Sequence, residues 1–258
     1  MRTLAVTILL LSTAQTEACQ RWVEEFQQGP FRFHSEFPIK RGPIGRDLTQ
    51  IKVELEATLK LKVGNEPIDV YLFGNARSYQ REVQKRVPGA ISRRALFVKA
   101  DKGSSVYAYK NASFDIDLRH ECTHALIHNS VQFIPLWMDE GMAEYFELKS
   151  GSRVRPTRLN DVKNAINWSR LTRSRSTLKR LESLNSIKQM GAGEYRDSWA
   201  WIHFLMHDRN NDSAGKKALI EYLAEIQKGN PPGAFSTFLE KRMPRTETKL
   251  VQHFRYFR

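Results

Sequence analysis

Cysteine is scarce in this sequence: two residues in 258, Cys19 and Cys122. Two thiols cannot make a disulfide scaffold, so the fold must rest on a hydrophobic core. One Cys19–Cys122 bridge stays open as an expectation for an oxidising compartment. Long apolar runs are also scarce. Leu4 to Leu11 stands out, and it is too short for a stable bilayer anchor. No internal repeat and no low-complexity linker breaks the chain, which argues for one domain. Nor is there a zinc knuckle or an aromatic-basic ribonucleoprotein motif, so no specific nucleic acid is expected. Acid is in short supply too. Asp and Glu number 28 against 41 Lys and Arg, a formal charge of +13. A surface of that sign favours acidic partners, such as an acidic polymer at the cell surface.

The first residues, MRTLAVTILLLSTAQTEAC, have the layout of a secretory leader. Arg2 precedes the apolar run, and the small residues Ser12, Thr13, Ala14 and Ala18 follow. The expectation is a signal peptide over 1–18 and an exported product: periplasmic, envelope-bound or extracellular. Cleavage after Ala18 would put Cys19 first, as in a lipoprotein, but Thr16-Glu17-Ala18 is a poor lipid-attachment box. Residues 19–258 read as a single domain. Its first part, about 19–130, holds a sheet and a motif helix; its second, about 131–258, is helical.

Alternation and apolar runs predict strands at Phe31–Ile39, Pro67–Gly74, Arg93–Ala100 and Ser104–Asn111. Helical spacing predicts helices at Arg46–Gly64 and Asn75–Pro88, then at about 115–128 and 137–148. Further helices are expected near 157–170, 194–208, 213–228 and 234–242, with a helical tail. Strands first and helices after argue for an α+β fold.

Residues 120–128 read HECTHALIH. On an α-helix, residues four apart share a face, so His120 and His124 can aim at one metal ion. Zinc suits imidazole. Glu121 lies beside the first histidine, placed to act on a water as general base. His128 is a poor third ligand, because it lies about 12 Å from His120 along a straight helix. The metzincin pattern HExxHxxGxxH fails, with Ile127 at the glycine position and Ser130 at the last histidine. The better third ligand is downstream, in PLWMDEGMAEYFE. A catalytic zinc site commonly takes three protein ligands, and two His plus one Glu is one such set. Glu140 fits that role. Glu144, one turn on, would accept a hydrogen bond from a ligand imidazole and fix its tautomer.

Together these residues resemble the gluzincin metallopeptidases, the peptidase-MA-like group that includes thermolysin and the zinc aminopeptidases. The match lies in His120, Glu121 and His124, then Glu140, Gly141, Ala143, Glu144 and Tyr145. It is most specific over 117–147 and extends to about 31–226. The resemblance implies a zincin-like fold, one zinc ion per chain, and hydrolysis of peptide or protein substrates. It also implies an oxyanion donor from the later helices. Tyr195 is the candidate, with Tyr145 as alternative and packing against Trp199 and Trp201 as the competing role. In zincins an edge strand ahead of the zinc helix holds the substrate, and Ser104–Asn111 is expected to be that strand. The loop between His124 and Glu140 is shorter than in thermolysin. No G-x-M-E-N anchor precedes the helix, which points away from an aminopeptidase and toward an endopeptidase. A second reading keeps the fold without catalysis: a protein that holds an acidic envelope polymer on its basic surface.

Overall fold

The computed structural model describes residues 22–88, 93–100, 103–153, 156–172, 177–207, 214–230 and 232–257. The expected leader, and Cys19 with its expected bridge, lie outside them. Cys122 is fully buried.

The strands are β1 (Glu24–Gln28), β2 (Phe31–Ser35), β3 (Ile68–Phe73), β4 (Ala95–Ala100) and β5 (Gly103–Tyr109). Between them lie α1 (Arg41–Leu59) and α2 (Ala76–Arg86). After them come α3 (Phe114–His128), α4 (Leu136–Phe146), α5 (Pro156–Thr172), α6 (Leu178–Glu182), α7 (Ala192–His207), α8 (Ala214–Gln227), α9 (Phe235–Arg242) and α10 (Thr246–Tyr256). The result is an α+β fold, a small N-terminal sheet followed by helices. No helix among the described residues is long and apolar enough to cross a membrane.

The sheet order is β1-β2-β3-β5-β4. β2, β3 and β5 run parallel at its centre, and β1 and β4 are antiparallel edges. Alternation sorts the strand side chains to two faces. Ile68, Val70 and Leu72 of β3 join Phe31, Phe33, Val106 and Ala108 in the main core. Leu48, Ile51, Leu55 and Leu59 of α1 and Leu118, Cys122 and Leu126 of α3 cover them. Each fully buried aliphatic side chain contributes about 1.5–3 kcal/mol. The opposite face carries a smaller cluster: Phe73 and Tyr107 under Tyr79 and Val83 of α2.

Three sequence expectations shift. α1 begins at Arg41, ahead of the expected Arg46, even though Gly42, Pro43 and Gly45 fall inside it. Pro43 sits in the first turn, where its missing N–H has no helical partner to lose. The helix ends at Leu59, with Lys60 left-handed, rather than at Gly64. Second, β1 and α6 are additional elements. β1 turns back on β2 through Gly29, whose φ of 57° favours glycine. Third, the strand at 103–109 is not an edge. It lies between β3 and β4, and the free edge ahead of α3 belongs to β4.

Candidate metal centre

α3 and α4 run side by side in opposite directions. Contacts pair the start of one with the end of the other: His120 with Glu147, and His128 with Asp139. One local feature fixes this pairing. Arg119, 3% exposed, donates to the carbonyls of Phe146, Glu147 and Leu148. Those are orphan acceptors at the end of α4, where a cation is favoured. On the far side, α4 packs on α7 at Gly141, where an added Cβ would lie 2.6 Å from the Ser198 carbonyl oxygen.

The helix pair brings three expected residues to one point. His120 Nε2 and His124 Nε2 lie 3.2 Å apart. Glu140 Oε2 lies 3.6 Å from each. A tetrahedral zinc site with bonds near 2.0–2.1 Å has ligand atoms about 3.3 Å apart. A point equidistant from the three atoms lies about 2.0 Å from each. These residues therefore fit a small divalent cation. Each imidazole turns its Nε2 inward and meets a carboxylate with its Nδ1, the arrangement that metal-ligating histidines adopt.

Those carboxylates are not the expected one. His120 Nδ1 contacts Glu147 Oε2 at 3.1 Å. His124 Nδ1 lies 3.0 Å from Asp139 Oδ1, an ion-pair contact off hydrogen-bond alignment. Glu144 instead pairs with Arg158 of α5, with one oxygen within 4.8 Å of a His120 nitrogen. Arg158 also lies 3.5 Å from Glu147 Oε1, so one guanidinium ties both acids. The signal for Glu147 was present in the sequence. Residues 140, 144 and 147 share one helix face, and only the antiparallel packing decides which meets His120.

The acids set the protonation of the site. Burial pushes the His120 imidazole down, but Glu140 and Glu147 outweigh it and hold it up at about 10. His124 is likewise driven down by burial and, more strongly, up by Asp139 and Glu140. Burial raises the Glu140 carboxyl, while His120 and His124 bring it down to about 2. Asp139 falls below its ordinary value because His124 and His128 outweigh its burial.

Glu121 is 8% exposed. Its Oε2 accepts the backbone N–H of Phe97 at 2.8 Å. Phe97 lies on β4, so that N–H points away from β5 and the free edge of the sheet faces the base. Its ring also stacks on His124 and His128, at centroid distances of 6.1 and 5.3 Å. Phe97 is a neighbour that the motif does not announce.

Tyr195 sits in the first turn of α7, within the field of Glu140, Glu144 and Glu121. Burial and Glu140 push its phenol up to about 12 against the pull of Arg93. It therefore keeps its proton at neutral pH and can donate it. Tyr145, the alternative, is 4% exposed, and its hydroxyl meets His207 Nε2 at 2.8 Å. It packs against Phe146 and under the Arg153 guanidinium. Beside Glu144 and Tyr195 a cleft of about 1130 Å³ opens between α5, α7 and α10. Arg158, Asp161, Ile166, Arg196 and Leu250 line it, and the three histidines of the motif region do not.

Residues 116–231 match the family described as "Protein of unknown function (DUF1570)". The match covers somewhat under half of the chain. It takes in every residue of the candidate centre on α3, α4 and α7 and leaves out the sheet. No curated protein matches the chain.

Proposed function

We propose that this chain is an exported zinc-dependent peptidase of the gluzincin kind, with a zincin-like fold. One observation carries the reading: His120, His124 and Glu140 converge at the spacing of a tetrahedral site, with Glu121 beside them. One bound zinc ion would supply Lewis acidity, acidifying a water and polarising the scissile carbonyl. His120, His124 and Glu140 would hold it. Glu121 would take the proton of the water and pass it to the leaving amine. Phe97 N–H steadies one oxygen of that carboxylate and leaves the other for the water. Tyr195 would donate to the oxyanion of the tetrahedral intermediate.

A peptide is favoured over other acyl substrates by the free edge of β4. An extended chain can add to an unpaired strand through main-chain hydrogen bonds. Here that strand lies against the base. The test is cleavage of a diverse peptide library, read by mass spectrometry. The chain from residue 19, loaded with zinc, is compared with Glu121→Gln. Cuts by the wild type that vanish in the variant, with zinc still bound, support the reading. A wild type that cuts no more than the variant refutes peptidase activity on free peptides.

A further inference from the structure

His128 is the third histidine of HECTHALIH, and it is no ligand: its ring does not join the cluster formed by His120, His124 and Glu140. It stands one turn beyond His124 on the same helix face. Asp139 bridges the two. One carboxylate oxygen lies 3.0 Å from His124 Nδ1 and the other 3.0 Å from His128 Nε2. Asp139 is 8% exposed, so water does little to hold it. The Phe97 ring runs close to parallel with both imidazoles, at interplanar angles of 17° and 25°.

The hydrogen bond to Asp139 places a proton on Nε2 of His128. Its Nδ1 is buried with no partner. A carboxylate only accepts, so Nε2 must carry the proton that meets Asp139. Asp139 Oδ2 is thereby occupied. The carboxylate cannot swing toward His128 without giving up this bond, and Oδ1 stays facing His124.

We propose that His128 is a positioning residue for the metal centre: through Asp139 it fixes the ring orientation of His124. The proposal rests on the metal-centre reading above. Partners of metal-ligating histidines commonly account for 10–100-fold in metal affinity. His128 acts one step further out. Losing it frees Asp139 to turn, and His124 loses its orienting contact.

The test is zinc affinity, measured by competition with a chromophoric chelator, together with the visible spectrum of the cobalt-substituted protein. His128→Leu is expected to weaken zinc about 10-fold or more and to shift the cobalt bands. His128→Gln, whose amide N–H replaces that of Nε2, is expected to return to within about threefold of wild type. In an Asp139→Ala background the His128→Leu change is expected to cost nothing further. Equal affinities for wild type and His128→Leu overturn the proposal and leave the metal site standing. An undiminished loss in the Asp139→Ala background overturns it too, since the effect would not run through Asp139. A wild type that binds no zinc removes the metal reading and this one with it. Should His128→Leu fail to fold, His128→Gln against His128→Asn decides. A tenfold advantage for the longer amide supports the proposal, and equality overturns it.

Discussion

Gly141→Ala tests whether the packing of α4 on α7 sets the site. The residue is helical, so an alanine there would ordinarily add about 1 kcal/mol through helix propensity. The geometry reverses that sign. A Cβ at 141 would lie 2.6 Å from the Ser198 carbonyl oxygen and 2.9 Å from a side-chain carbon of Ile202. The nearer atom is backbone and cannot rotate away. Relief to an ordinary 3.4 Å contact requires α7 to recede by about 0.8 Å, the difference between 3.4 and 2.6 Å. Overpacking of this kind costs about 1–3 kcal/mol. Set against the propensity gain, the net loss is up to about 2 kcal/mol, or up to about 8 °C in Tm. Urea unfolding followed by tryptophan fluorescence measures it, since Trp137, Trp199 and Trp201 are buried in the core. Gly193→Ala is the control. Its Cβ would meet nothing nearer than the end of the Arg196 side chain, at 3.7 Å, so it is expected to stabilise. If Gly141→Ala also stabilises, the packing argument is wrong. Peptide cleavage is expected to fall with it, because α7 carries Tyr195 and residue 141 follows Glu140.

Arg158→Leu strips the cation from Glu144 and Glu147, whose charges already oppose one another. We expect a loss of about 1–3 kcal/mol in stability and about 10-fold in zinc affinity, read by thermal melting and chelator competition. An unchanged melting temperature would contradict this role. His203 gives the pH dependence. Burial, with His207 and His253, pushes its imidazole down to about 2, while the unfolded chain titrates near its ordinary 6.5. Below pH 6.5 the unfolded chain binds a proton that the folded chain refuses. Stability from this group is full above pH 6.5 and falls by up to about 1.4 kcal/mol per pH unit below it. His203→Phe is expected to flatten that acid limb between pH 6 and 4. Parallel limbs for wild type and variant would show that His203 is not its source.

The site was more legible than the fold, and for a physical reason. HECTH and DEG are local patterns: helix periodicity alone places His120 beside His124, and chemistry alone nominates Glu140. The partners of the imidazoles were not legible, because Asp139, Glu144 and Glu147 are all acids on one short helix. Which of them reaches a histidine depends on the antiparallel crossing of α3 and α4, tied by Arg119. β1 was missed because EEFQQ has one apolar residue, and its pairing with β2 defines it. The edge strand was misplaced for a similar reason. Both strands of the β4–β5 hairpin alternate, and sequence does not say which one enters between neighbours. Parallel pairing of β5 with β3 leaves β4 outside, and so β4 brings Phe97 to Glu121.

The charge pattern joins these pieces. The chain carries +13, yet α3 and α4 gather Glu121, Asp139, Glu140, Glu144 and Glu147 around two imidazoles. Composition does not explain that, and one guanidinium, Arg158, reaches only two of the acids. Buried charges of one sign at this density require cations among them. The carboxylates draw His120 and His124 toward their protonated forms against burial. A divalent ion at the meeting point of the three ligand atoms answers that requirement more fully, with two charges at one place. The charge balance supports the proposed metal independently of any substrate, and this orders the tests. Failure to bind zinc removes the metal, the hydrolysis and the role of His128 together. Failure to cut peptides, with zinc bound, removes only the substrate and leaves the centre to be explained.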